Sequence, residues 1–180
     1  MKNVPNIISL FRILAILPLI YFTQKDDVIS ITIGLVIFAI AALSDAVDGY
    51  IARKYNVISN LGKLLDPLAD KLLVLSIFII FLTKGQLPIA LVIVVLAREL
   101  TITGLRSIAA AEGIVIQASV YGKIKTITQM ILIIALYLAN LELGINLEII
   151  CNVMIWIVGI ITLLSGVDYV YKAREVFVAK

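Results

Sequence analysis

Four aspartates stand at fixed spacing in a chain otherwise built for an apolar environment. Asp45 and Asp48 form an i, i+3 pair, and Asp66 and Asp70 an i, i+4 pair, inside the run SDAVDGYIARKYNVISNLGKLLDPLADK. On helices, each pair points its two side chains to one side. Two neighbouring helices marked in this way bring four carboxylates into one small volume. Two carboxylates about 4 Å apart repel by about 4 kcal/mol at an effective dielectric of 20, so such a cluster requires cations. The chain has no histidine. Metal binding then uses oxygen ligands, which favours magnesium, manganese or calcium. Two divalent ions about 3.5–4 Å apart clamp a phosphoryl group for in-line displacement, a geometry suited to a diphosphate substrate. General acid–base work near neutral pH falls to carboxylate, lysine or tyrosine.

The small residues around the acids fit the same chemistry. Gly49 and Ala52 follow the first pair and leave one helix face bare, so a nucleotide or a neighbouring helix approaches closely there. Gly62 sits where the chain re-enters the next helix, and Arg53 is suited to phosphate oxygens. Asp66 precedes Pro67, which also reads as helix capping or first-turn chemistry. That reading leaves the other three acids unexplained.

The elements that position these acids are expected to be membrane helices. Of 180 residues, 62% are hydrophobic, and the mean hydropathy is +1.13; a soluble domain is nearer half apolar. The expectation is an all-α polytopic membrane protein, a single domain over residues 1–180, with almost no mass outside the bilayer. Six spans are predicted: Ile7 to Phe22, Val28 to Ile51, Leu64 to Leu82, Leu87 to Ala111, Tyr121 to Ala139 and Leu147 to Tyr171. The first is short, and either tilted or partly interfacial. A signal peptide is its other reading, but no small-x-small cleavage site follows and Arg12 interrupts the run. The breaks TQKDD, RKYNVISNLG, TKGQ, AEGIVIQAS and NLELGIN are polar or glycine-bearing. The single cysteine, Cys151, excludes a disulfide within the chain and a cysteine-rich zinc site, and reads as buried packing.

Orientation follows from lysine and arginine. Twelve cations (Lys2, Arg12, Arg53, Lys54, Lys63, Lys71, Arg106, Lys123, Lys125, Lys172, Arg174 and Lys180) fall on or near the side shared by the termini, against two, Lys25 and Lys84, on the other. The termini and the acidic motif are therefore expected on the cytoplasmic side. The net charge of +3 is spread over loops with no aromatic platform, so no nucleic-acid partner is expected. Contact with anionic lipid head groups accounts for most of these cations.

A second set of charges lies in the fourth and fifth spans. Glu99, Thr103 and Arg106 share an i, i+4, i+7 face. Arg98 and Glu99 are adjacent and point apart, so they are not expected to neutralise each other directly. An interhelical salt bridge to a lysine or arginine elsewhere is the alternative reading of Glu99. Lys123 and Lys125 open the fifth span, where snorkelling is the bland reading. Taken together, Arg98, Arg106, Lys123 and Lys125 suit an acceptor that carries its own phosphate. Arg12 is placed to reach lipid phosphate, and Asp168 and Tyr169 read as network residues.

The pattern D-x2-D-G-x2-A-R-x8-G-x3-D-x3-D, from Asp45 through Asp48, Gly49, Ala52, Arg53, Gly62 and Asp66 to Asp70, resembles the motif of the CDP-alcohol phosphatidyltransferases at every fixed position. Softer similarity, in PNIISLFRI, ARELTITGLR, GKIKT and SGVDY, extends over nearly the whole chain to members that act on glycerol 3-phosphate. The resemblance implies the CDP-alcohol phosphotransferase fold of six transmembrane helices, commonly paired as a homodimer. It implies CDP-diacylglycerol bound with its diphosphate on two magnesium or manganese ions, in the inner cell membrane with the active site cytoplasmic. Asp45, Asp48 and Asp66 are then metal ligands, with Asp70 shared between metal and general base. Asp48, Gly49, Ala52, Arg53 and Gly62 hold the nucleotide. The acceptor hydroxyl attacks the phosphorus bearing the lipid, and CMP leaves. Inositol phosphate and phosphatidylglycerol stay open as acceptors. A cation transporter is the distant alternative, disfavoured because the acids gather at one inner edge rather than along the membrane depth.

Overall fold

Each apolar run folds into a helix. The computed structural model describes residues 4–55, 60–112, 119–141, 143–144 and 146–178, with side chains over 9–44, 68–110, 112, 119–141, 143–144 and 146–174. Among the described residues there are six helices and no strand: α1 (Val4–Thr23), α2 (Val28–Tyr55), α3 (Asn60–Thr83), α4 (Ile89–Ala111), α5 (Val120–Ala139) and α6 (Glu148–Val178). The helices outrun several of the predicted spans. Arg53 to Tyr55 stay in α2, and Asn60 to Gly62 already belong to α3, so much of the expected break RKYNVISNLG is helical. Hydropathy marks where a chain leaves hydrocarbon; backbone hydrogen bonding carries on wherever propensity allows it, and Arg, Lys and Leu are good helix formers. Asp66 consequently lies beyond the first turn of α3, which contains no acid, and the capping reading of Asp66 fails. α6, with 31 residues, is about 46 Å long, more than a bilayer core requires.

The chain divides into two compact units, Met1–Lys84 with Tyr137–Ile145, and Gly85–Leu136 with Asn146–Lys180. In the first, α1 packs on α2 and α3 over a core that includes Leu19, Ile31, Phe38, Leu73, Ile77 and Phe78. Gly34 permits the close approach of α2. A Cβ there would stand 2.7 Å from the Thr23 hydroxyl oxygen. That hydroxyl shares a 2.7 Å hydrogen bond with the Tyr137 hydroxyl. The Tyr137 ring in turn lies between Phe38 and Phe81, with ring centroids 6.2 and 5.2 Å away. Arg12 is 1% exposed, so its side chain is enclosed by protein.

The turn before α2 is fixed at both ends. Asp27 caps the helix, its carboxylate accepting from the Ser30 N–H at 2.8 Å. Lys84 donates to the Lys25 carbonyl at 2.9 Å and to Asp26 at 3.0 Å, joining this turn to the end of α3. Gly85 then takes a φ of 72°, which a glycine adopts without penalty.

In the second unit α4 packs on α6, Leu91 facing Gly159 and Val95 and Val158 fully buried. The outer faces are strongly apolar. Leu14, Leu17, Leu43, Ile93, Leu100, Trp156 and Val167 are among the exposed side chains. A surface of this kind suits hydrocarbon rather than water. Among the described residues, α5 and the Glu148–Arg174 part of α6 are long and apolar enough to cross a membrane; Ser9–Thr23 and Val28–Ser44 are shorter apolar helices.

Two measurements test this packing. Gly34→Ala should lower the thermal midpoint of the purified protein, at a cost of about 1–3 kcal/mol for overpacking. Gly104→Ala in α4, where no neighbour lies within 4 Å of the added carbon, should raise it. Equal effects of the two changes would remove the close-approach account. The Asp27 carboxyl is held below its ordinary value by hydrogen bonds from the Ser30 side chain and backbone N–H. Its contribution is therefore complete above the ordinary carboxyl value of 3.8 and is lost as pH falls through the depressed one. Asp27→Asn should flatten this part of the acid-side loss of thermal midpoint, and an unchanged acid limb would contradict the cap.

Candidate active site

The acidic motif sits on the two helices expected to carry it. Asp45, Asp48, Gly49, Ala52 and Arg53 belong to α2, and Gly62, Asp66 and Asp70 to α3, both in the first unit, where these helices pack on each other. Asp70 is half-buried, next to the fully buried Ala69. The side chains of Asp45, Asp48, Gly49, Ala52, Arg53, Gly62 and Asp66 lie outside the described residues. Among the described residues no group of three or more histidine, cysteine, aspartate or glutamate side chains is gathered for a metal ion. The donor chemistry of the motif, four carboxylates on two packed helices, fits hard divalent cations such as magnesium or manganese.

The predicted acceptor cations lie in the second unit, and the structure sorts them into three kinds. Arg98 and Lys125 meet on one carboxylate. Glu99 Oε1 accepts from Arg98 Nη1 at 2.8 Å and from Lys125 Nζ at 2.5 Å. The three side chains are 12%, 10% and 7% exposed for Arg98, Glu99 and Lys125, so this is an interior ion cluster. The expectation that Arg98 and Glu99 point apart is wrong. Adjacent Cβ atoms on a helix do diverge, but a guanidinium on a three-carbon stem reaches around to its neighbour when both face the same polar interior. The alternative reading of Glu99, an interhelical salt bridge, is what α4 and α5 form through Lys125. Snorkelling does not describe Lys125, which is buried.

Arg106 is of the second kind: exposed, with its Nε donating to the Tyr169 hydroxyl at 3.0 Å and its guanidinium near the Tyr169 ring. Lys123 is of the third kind, exposed on the opposite side of α5 from Lys125. Asp168 takes a 2.9 Å hydrogen bond from Lys172 one turn later in α6 and another from Ser119. Ser119 also caps α5, accepting from the Gly122 N–H at 3.1 Å. Tyr169 and Asp168 are therefore network residues, as expected.

Three participants escaped the sequence reading. Ser165 accepts from Arg98 Nη2 at 2.5 Å. Gly122 and Gly166 line the path of Arg98: a Cβ on Gly122 would lie 3.5 Å from Arg98 Nη2, and one on Gly166 would lie 3.6 Å from Arg98 Cγ. The segments GKIKT and SGVDY contain all three, so the signal was present in the chain without its geometric meaning.

Comparison with known proteins agrees with the motif. Residues 2–164 match the family model described as CDP-alcohol phosphatidyltransferase. The chain is 39% identical over 188 residues to a Bacillus subtilis protein named CDP-diacylglycerol–glycerol-3-phosphate 3-phosphatidyltransferase, covering 97% of each chain. It is 35% identical over 178 residues to a Rickettsia typhi protein of the same name, covering 98% of this chain and 99% of the other. A Mycobacterium tuberculosis protein named probable phosphatidylglycerophosphate synthase is 33% identical over 174 residues, covering 95% of this chain and 81% of the other.

The ion cluster predicts an order of stabilities. Lys125→Met leaves Arg98 and Glu99 as a neutral pair, whereas Glu99→Gln removes the carboxylate that both buried cations share. Breaking a buried pair so that charge is left uncompensated costs about 3–5 kcal/mol. Glu99→Gln should therefore lower the thermal midpoint more than Lys125→Met does. The reverse order would mean that Glu99 is not what neutralises the pair.

Proposed function

Because this chain belongs to the CDP-alcohol phosphatidyltransferase family, we propose that it transfers the phosphatidyl group of CDP-diacylglycerol to glycerol 3-phosphate, giving phosphatidylglycerophosphate and CMP. The observation that carries this reading is the agreement, across nearly the full chain, with relatives named for that reaction. The eight-residue motif on α2 and α3 supplies its chemistry.

The residue roles are as follows. Asp45, Asp48, Asp66 and Asp70 would hold two divalent ions, magnesium or manganese, which would neutralise the diphosphate. Asp48, Gly49, Ala52, Arg53 and Gly62 receive the cytidine nucleotide, the small residues allowing close approach and Arg53 pairing with phosphate oxygens. Asp70 takes the proton of the acceptor hydroxyl as its oxygen bonds to the phosphorus that carries the diacylglycerol. The bond from that phosphorus to the oxygen bridging to CMP breaks, and CMP leaves with the bridging oxygen. Arg98, Arg106, Lys123 and Lys125 serve the acceptor's own phosphate. The exposed apolar surface and the lysine and arginine bias support a multi-pass arrangement in the cell membrane, with the acidic motif on the cytoplasmic face. The family resemblance supports a homodimer.

The test is CMP release by purified protein in lipid, with a panel of glycerol 3-phosphate, inositol phosphate and phosphatidylglycerol as acceptors. Release should require glycerol 3-phosphate, stop on chelation, and return with magnesium or manganese. Asp70→Asn should abolish turnover with the thermal midpoint preserved. Preference for another panel member would reassign the acceptor; full activity of Asp70→Asn would remove the base; activity after thorough chelation would remove the metals.

A further inference from the structure

Arg12 is a charged residue in the middle of an apolar helix, and the first unit encloses it. It belongs to the face of α1 that Ser9, Ile16, Leu19 and Thr23 also form, at steps of three and four residues, and all five are buried. α1 packs on α2 and α3, so this face is the one turned to them. A guanidinium keeps its charge in any protein setting, and a buried one requires an acid close by. Six acids lie on these three helices or in the turns joining them: Asp26, Asp27, Asp45, Asp48, Asp66 and Asp70. Asp26 takes Lys84, and Asp27 caps α2. Both belong to the turn that follows Thr23, and Thr23 stands eleven residues beyond Arg12, about 16 Å along the helix. The four acids left are those of the motif.

The register between the helices brings the motif level with Arg12. Thr23 on α1 meets Gly34 on α2, where an added Cβ would stand 2.7 Å from the Thr23 hydroxyl oxygen. The two helices run in opposite directions from the short turn between them. Eleven residues back along α1 from Thr23 is therefore level with eleven residues forward along α2 from Gly34. The first count ends on Arg12 and the second on Asp45. Eleven residues are about three turns, so both positions return to the faces that meet at Thr23 and Gly34. On α2 that face is buried through Phe38 and Ala41 and continues to positions 45 and 48. α3 gives the same level. Lys84, just past α3, reaches Lys25, just past α1. Thirteen residues back from each lie Lys71 and Arg12, which puts Asp70 within a turn of Arg12 in depth. We infer that Arg12 is the built-in counterion of the acidic motif, set opposite Asp45 by the packing register of α1 and α2. It is a positioning residue. It balances part of the carboxylate charge when no divalent ion is bound, and it competes with divalent ions for the same acids. The inference rests on the metal-holding role proposed above for the aspartates, and it adds a permanent cation from a third helix to that site.

The experiment compares the unmodified full chain with Arg12→Met, Arg12→Lys and the double variant Arg12→Met with Asp45→Asn. Thermal midpoints are measured after chelation and again with added manganese, and manganese binding is followed by electron paramagnetic resonance of the free ion. In metal-free protein Arg12→Met should lower the midpoint, and adding Asp45→Asn should raise it again, because the acid left without its counterion is gone. Manganese should half-saturate Arg12→Met at a concentration lower by about tenfold or more, the scale on which one unit charge a few ångströms from a divalent ion acts at an effective dielectric of 20. Its stabilising shift should grow accordingly. Arg12→Lys keeps the charge and should bind manganese as the unmodified protein does, even where its midpoint falls. A packing role alone would lower both midpoints without moving the manganese concentration. That result, weaker manganese binding in Arg12→Met, or no recovery with Asp45→Asn would each overturn the assignment. A raised KM for CDP-diacylglycerol with manganese binding unchanged would overturn it too, by placing Arg12 on the lipid phosphate. If Arg12→Met does not fold, the double variant must, and its failure would count against the pairing. If the unmodified protein binds no manganese, the metal reading ends, and the recovery with Asp45→Asn in metal-free protein still decides the role of Arg12.

Discussion

A charge surrounded by apolar side chains must find its counterion within hydrogen-bond reach, because each uncompensated one costs several kcal/mol. In a chain that is 62% hydrophobic this constraint decides which helices can pack and which faces they turn inward. Glu99 on α4 meets it by taking both Arg98 and Lys125, and in doing so joins α4 to α5. Ser165 extends the polar interior to α6. The surrounding contacts, such as Leu91 against Gly159 and the buried Val95 and Val158, are ordinary apolar packing that follows once the charges are placed.

The two units place their charged side chains on different helices. The first carries Asp45, Asp48, Asp66 and Asp70 on α2 and α3, interleaved with Arg53, Lys54, Lys63 and Lys71, on a frame of α1 packed against both, and the second carries Arg98, Arg106, Lys123 and Lys125 with Glu99 on α4 and α5. For a reaction between a diphosphate-linked lipid and a phosphorylated acceptor, both kinds of site are needed. Metal-neutralised carboxylates suit the diphosphate, whose charge is spread over several oxygens and whose phosphorus must be attacked. Direct cations suit the acceptor's phosphate, which has only to be held. The proposed division of labour follows from that difference.

Much of this was legible in the chain. Long apolar runs announce helices, and the two helices that carry the aspartates were expected from the sequence, because both depend only on local periodicity. The ends of helices were less legible. Arg53 to Tyr55 and Asn60 to Gly62 are polar enough to look like a loop and yet remain helical. The pairing of Arg98 with Glu99 was misjudged because the rule for adjacent residues describes Cβ directions, not the reach of a guanidinium. Lys123 and Lys125 are the same residue type two positions apart, one exposed and one buried. Their difference lies in which side of α5 meets its neighbours, and periodicity alone does not supply that. Ser165 was invisible for the same reason: a serine in an apolar helix acquires meaning only when an arginine from another helix arrives at it.

The adjacency of Arg98 and Glu99 has a bearing on how the chain is made. Synthesis runs from the N-terminus, so α4 emerges from the ribosome before the residues of α5 exist. A lone arginine or glutamate entering hydrocarbon resists insertion by about 2.5–3.5 kcal/mol each. Neighbours on one helix pair without waiting for another, so α4 carries the counterion of Arg98 within its own sequence. Lys125 follows in α5, later in the chain, and meets a carboxylate that its neighbour Arg98 already pairs.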